Sequence, residues 1–165
     1  LLFGTFCEVI DLIPGMPEFL GKGDGSGGRK LQFSNRRYTL FAPTNAAFKN
    51  SDLELPDLKG NLTEDDTKLL KFIATYHIIG NNNVLTFDEL TCDRRYTMFN
   101  GVQTQTRCST KLKGRNSGVQ EKYQIGTNSS AFSSSNTNPN LIFVLTQSDS
   151  KIVNKEIFAS NGILH

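Results

Sequence analysis

The sequence predicts an α+β domain in which helices pack at one side of an antiparallel or mixed sheet. Apolar residues recur at helical spacing in the first half of the chain, whereas the second half is a series of short strand-like runs rich in β-branched and aromatic residues. A length of 165 residues allows one compact domain with a full hydrophobic core and is short for two, so a single domain over 1–165 is expected. Apolar residues make up 37% and charged residues 21%, with twelve Phe and no Trp, a composition that suits a packed globule rather than a disordered chain.

Taken in order, FGTFCEVIDLIPGMPEFL places Phe3, Phe6, Val9 and Ile10 at helical spacing before Pro14, then Met16, Phe19 and Leu20 after it. Two short helices broken at Pro14-Gly15 follow from this. Cys7, on the first, is expected to be a buried thiol beside the helix, with pairing to a missing segment or another chain as the alternative. GKGDGSGGRK at 21–30 reads as a flexible loop. It has no Gly-Lys-Ser/Thr ending and leads into polar residues and a strand, so it is not a phosphate-binding loop. YTLFA at 38–42 is a strand, Pro43 fixes its exit, and Thr44 with Asn45 satisfies free amides at the start of a short helix.

After an acidic connection comes TKLLKFIATYHIIGN at 67–81, the best-marked helix of the chain. Thr63 caps it, Asp66 is the acid of a capping box, and Glu64 and Asp65 favour its positive end. Leu69, Leu70, Ile73, Tyr76 and His77 share one face, so Tyr76 and His77 are expected to point towards the core. Gly80 and the asparagines behind it are expected to stop the helix.

The second half reads as the strands VLTFDEL, YTMFNGVQTQ, VQEKYQIG, LIFVLTQ and IFASNGILH. Asn100-Gly101 predicts a two-residue type I′ hairpin turn pairing Phe99 with Val102. Continued outward, that register sets Cys92 opposite Ser109 and Cys108 opposite Asp93, and one bulge residue brings the two sulfurs face to face. A Cys92–Cys108 disulfide is therefore expected, contributing about 2–4 kcal/mol. SSAFSSSNTNP at 129–139 reads as an exposed low-complexity insertion, and Asn161-Gly162 as a tight turn.

A net charge of +2 gives no footing for nucleic acid. Charge is nevertheless segregated: 52–66 carry Asp52, Glu54, Asp57, Glu64, Asp65 and Asp66 against Lys59, while 107–122 carry Arg107, Lys111, Lys113, Arg115 and Lys122 against Glu121. These are either two solvated surfaces or a polar docking face for a partner. The longest apolar runs, such as LIFVL at 141–145, fall far short of the roughly 20 residues that span a bilayer. The chain opens without Met on LLFGTF and stops at GILH as an apolar strand begins, which reads as a processed or trimmed piece. Asn61-Leu62-Thr63 and Asn128-Ser129-Ser130 make Asn61 and Asn128 glycosylation candidates, and with the disulfide they point to an oxidising, non-cytosolic compartment.

Nothing in the sequence assembles a reaction. There is no GxSxG elbow, no Cys-His pair in a recognisable context and no HxxxH or CxxC, so no catalytic residue, metal or cofactor is expected. His77 is one of two histidines. It reads as a neutral interior group with one ring nitrogen donating to a backbone carbonyl, beside a Tyr76 that buries its ring.

Three segments together resemble the fasciclin family: TLFAPTNAAF at 39–48 is similar to that family's first motif, ATYHIIG at 74–80 to its tyrosine-histidine motif, and IFASNGILH at 157–165 to its second long motif. Order and spacing also fit. The resemblance implies a β-wedge of mixed or antiparallel strands with a helical layer, and a secreted or cell-surface, non-enzymatic role in cell or matrix adhesion with protein or glycan partners. The Cys92 and Cys108 spacing with YQIG downstream is similar to that of secreted fasciclin-type proteins of algae, diatoms in particular. Adhesive sequences of the family map onto Tyr76 and His77 and onto NKEIF, where Asn154, Lys155 and Ile157 match while Glu156 stands for Asp and Phe158 for Leu. Either these residues contact a partner, or Ile157 and Phe158 simply pack their strand. The alternative role is an accessory or scaffold subunit of a large membrane-associated complex in an oxidising compartment such as the thylakoid lumen.

Overall fold

The computed structural model describes residues 2–21, 37–51, 53–80, 83–110, 118, 120–126, 131–133, 142–144, 150–152, 157–159 and 162–164. The glycine-rich stretch 22–30, Asn128, 154–156 and 160–161 lie outside the described residues. Helices α1 (Gly4–Leu12) and α2 (Met16–Phe19) are separated at Pro14-Gly15, where Gly15 takes a φ of 76°. A side chain is disfavoured in that left-handed conformation. Strand β1 (Tyr38–Leu40), helix α3 (Asn45–Asn50) and helix α4 (Glu64–Tyr76) follow, and then β2 (Ile78–Ile79). The rest is strand: β3 (Arg95–Thr97), β4 (Gln103–Thr110), β5 (Gln120–Gly126), β6 (Ala131–Ser133), β7 (Ile142–Val144), β8 (Ser150–Lys151), β9 (Ile157–Ala159) and β10 (Gly162–Leu164).

These strands form a mixed sheet in the order β2-β1-β10-β9, an antiparallel sheet in the order β3-β4-β5-β8, and the ribbon β6-β7. The parallel pair is β1 with β10, joining the first and the last strand of the chain with Tyr38 opposite Gly162. Helices and sheets are thus an α+β wedge, as the sequence leads one to expect.

Two cores hold it. In the first, Phe6, Val9, Ile10, Ile13 and Met16 of the leading helices meet Leu70 and Ala74 of α4 and Tyr38 and Ile78 of the mixed sheet. In the second, Phe41 and Ile79 at the mixed sheet meet Tyr96 and Met98 at the antiparallel one and Leu90 of the turn before it. Burying such side chains stabilises by about 1.5–3 kcal/mol each before chain entropy is subtracted. Thr39 is fully buried between the cores. Its hydroxyl donates to the Asn83 carbonyl at 3.1 Å and accepts from the Leu85 amide at 2.8 Å, so no polar atom is stranded.

Capping follows the sequence closely. Thr44 accepts from the Ala47 amide at 3.2 Å, and Asn45 reaches back to accept from the Thr5 amide at 3.0 Å in the first turn of α1. At α4 the capping box is complete: Thr63 Oγ1 accepts from the Asp66 amide at 3.1 Å, and Asp66 accepts from the Thr63 amide at 2.9 Å.

Five expectations are corrected. VLTFDEL is a turn, because Thr86 and Glu89 form their own box, Thr86 N donating to Glu89 at 2.8 Å and Glu89 N to Thr86 Oγ1 at 3.3 Å. The helix ends at Tyr76 rather than at Gly80, since Ile78 and Ile79 pair with β1. Asn100-Gly101 does not make a type I′ turn: only Gly101 has positive φ, at 84°, and Gly101 N donates to Met98 O at 2.9 Å while Met98 N donates to Val102 O at 2.7 Å. This is a three-residue loop with the bulge at the glycine. Cys7 is exposed, not buried. Within 129–139, Ala131–Ser133 is a strand that pairs with Ile142–Val144 in a ribbon of its own. Lys122, counted above among surface charges, is 3% exposed, with its ammonium donating to the Phe87 and Asp88 carbonyls and lying 4.8 Å from the Phe87 ring centroid.

The disulfide is formed between Cys92 and Cys108, with Cα atoms 5.5 Å apart. The three-residue loop shifts the register so that Arg95 faces Gln105. A second bulge lies next to the disulfide: Asp93, at φ 61°, donates to Thr106 O, and Thr106 N donates to Arg94 O.

Candidate functional site

Tyr76 and His77 sit where α4 gives way to β2, a point at which the last helical carbonyls need donors. His77 is the C-cap residue, and its amide donates to Ala74 O at 3.1 Å. Its ring Nδ1 donates to the Ile73 carbonyl at 2.7 Å, satisfying another carbonyl of the final turn. A carbonyl only accepts, so Nδ1 carries the proton and the neutral ring keeps its lone pair on Nε2. The His77 carbonyl in turn accepts from the Phe41 amide at 2.9 Å, so this residue stitches helix end to first-motif strand.

Aromatic rings enclose the imidazole. Phe6 of α1 meets it edge-on at 5.8 Å between centroids, and Tyr76 at 5.6 Å, with ring planes 60° and 85° apart. Loss of solvation holds the His77 pKa below its ordinary value near 6.5, against the opposing pull of the Ile73 carbonyl. The side chain is therefore neutral at neutral pH. Both residues are half-buried as a whole, while the imidazole itself is withdrawn from solvent.

Tyr76 faces the antiparallel sheet. A Cβ built on Gly126, at the end of β5, would lie 2.5 Å from the Tyr76 hydroxyl oxygen, so glycine is what lets the phenol approach the strand backbone. Gly80 has the matching role for Phe99: its Cβ would lie 2.8 Å from Phe99 Cδ2. Phe99 is 45% exposed at the hairpin tip, tilts against Phe19 at 5.0 Å between centroids, and donates its amide to Ile78 O at 2.7 Å. Sequence reasoning missed both glycines and Phe99. Only the position of each glycine after a β-branched or aromatic run hinted at a close approach.

The groups that meet the His77 ring are the Ile73 carbonyl and the rings of Phe6 and Tyr76. Among the described residues no group of three or more His, Cys, Asp or Glu could hold a metal ion. A shallow groove of about 310 Å³ is lined by Ile13, Pro14, Glu64, Thr67, Lys68 and Lys71 and does not include the pair.

Of the other expected contact residues, Asn154, Lys155 and Glu156 lie outside the described residues, and Ile157 begins β9, where Phe158 pairs with Ile163. Asn61 is exposed just ahead of α4. No helix of the described residues is long and apolar enough to cross a membrane. Compared with known families, residues 26–165 match the model of the Fasciclin domain. Helices α1 and α2 precede that match, yet supply Phe6, Val9, Ile10, Ile13 and Met16 to the first core. No curated protein matches the chain.

Proposed function

We propose, for a chain that belongs to the fasciclin family, a non-enzymatic role as a cell-adhesion or extracellular-matrix interaction module that binds a protein or glycan partner. Fasciclin domains are in general non-enzymatic interaction modules associated with adhesion or extracellular contact, and the match over 26–165 is the observation that carries this reading. The Cys92–Cys108 disulfide supports it, because such a bond persists in oxidising surroundings outside the cell or at its surface.

The partner surface in this reading combines the region of Tyr76 and His77 with Asn154, Lys155, Glu156 and Ile157, within a single domain over 1–165. Affinity capture from the native source, with mass spectrometry of partners, is the test. Recovery of cell-surface or matrix proteins or glycans is the expected result. Stoichiometric recovery with a membrane complex would move the function to an accessory subunit in a compartment such as the thylakoid lumen, and a substrate-like molecule bound beside His77 would overturn the non-enzymatic reading.

A further inference from the structure

We propose that Asn61 is an N-glycan acceptor that is modified only before helix α4 closes its cap, so that the folded chain refuses the modification and the nascent chain takes it. An acceptor sequon needs the Thr hydroxyl two residues after the Asn. In Asn61-Leu62-Thr63 that hydroxyl belongs to the N-cap of α4 and is used in both directions: Thr63 Oγ1 donates to the Asp66 carboxylate at 2.7 Å and accepts from the Asp66 amide at 3.1 Å. The Thr63 backbone is held too, its amide donating to Asp66 at 2.9 Å and its carbonyl accepting from the Thr67 amide at 3.0 Å. Leu62, the middle residue, packs against the first core. On the other side the chain is fixed by a turn in which Lys59 N and Gly60 N donate to Asp57, at 3.0 Å to Oδ1 and 3.1 Å to the carbonyl.

The Asn61 side chain alone stands free of this lock, because Asn61 is exposed. A glycan already attached there projects into solvent without disturbing cap or core. A transferase acting on the folded protein would instead have to draw Thr63 out of its box and Leu62 off the core. The step itself is a substitution at a sugar. The Asn61 Nδ2–C1 bond forms, the C1–O bond to the diphosphate of a lipid-linked oligosaccharide donor breaks, the diphosphate leaves with the electron pair, and the amide gives up one proton.

This inference rests on the extracellular reading above, and the disulfide keeps the two failures apart. In an Asn128→Gln background, so that any glycan reports Asn61, the chain is produced in secreting eukaryotic cells and also, unglycosylated and oxidised, in bacteria. The bacterial protein is offered to oligosaccharyltransferase and lipid-linked donor, once folded and once reduced and unfolded. The proposal expects a glycan on the secreted chain that Asn61→Gln removes without moving the thermal midpoint. It also expects at least a tenfold lower rate of transfer to the folded protein than to the unfolded one. Secreted chain with Cys92–Cys108 intact and Asn61 bare would overturn the site, and equal transfer to both forms would overturn the order of events.

Discussion

Replacing Gly126 by alanine sets a methyl group against the tip of Tyr76. The built Cβ lies 2.5 Å from the hydroxyl oxygen and 3.7 Å from Cζ. Ordinary contact begins near 3.4 Å, so the phenol must retreat by roughly 0.9 Å. Tyr76 has two side-chain torsions and leans perpendicular on His77, so the retreat disturbs the seam, and overpacking of this kind costs about 1–3 kcal/mol. Gly126 is not among the glycines of positive φ, so its backbone accepts alanine without strain. In a Tyr76→Phe background the oxygen is gone and the methyl meets only the ring carbon at ordinary distance. There Gly126→Ala is expected to be neutral or to stabilise by up to about 0.5–1 kcal/mol, as for Gly→Ala in a strand interior. Urea unfolding of the four proteins, with m values compared, gives the double-mutant cycle. A coupling of about 1–4 kcal/mol is predicted, and additivity within about 0.5 kcal/mol would refute the close approach.

Other expectations are more local. Thr63→Ala removes the N-cap hydroxyl of α4 and should lower unfolding free energy by about 1 kcal/mol, read by denaturant melts. Cys108→Ser opens a loop of sequence separation 16, which chain entropy values at about 3 kcal/mol, so its denaturation midpoint should fall well below that of the oxidised parent while Cys7→Ser leaves it unchanged. Because the folded His77 pKa is depressed, the unfolded chain binds the extra proton first as pH falls. This contribution is therefore fully present above pH 6.5 and is lost progressively below it, so thermal melts of the parent should decline there more steeply than those of His77→Gln.

What could be read from sequence was whatever depends on neighbours along the chain. The Thr44 and Thr63 caps, the Pro14-Gly15 break and the apolar face of α4 all rest on residues a few positions apart, and periodicity exposes them. The disulfide was legible for a related reason: both cysteines flank one hairpin, with a bulge at Asp93 along the strands as well as one at Gly101. VLTFDEL misled because its Thr86-Glu89 box lies inside a run with the composition of a strand. Cys7 misled because a single step along the helix, about 100° of rotation, separates the buried Phe6 from the solvent-facing Cys7, and spacing alone sets the stripe only to within a residue. The pairing of β1 with β10, the approach of Tyr76 to Gly126 and the burial of Lys122 over Phe87 join residues far apart in sequence, and no local pattern carries them.

The central claim is that Tyr76 and His77 build the fold rather than perform chemistry. Thermal unfolding of His77→Ala at neutral pH, beside partner binding, tests it most directly. The variant loses one hydrogen bond to Ile73 and edge contacts to Phe6 and Tyr76, together about 2 kcal/mol, or roughly 4–8 °C in a chain of this size. A fall of that order is predicted, whereas an unchanged midpoint with binding or turnover abolished would contradict the account.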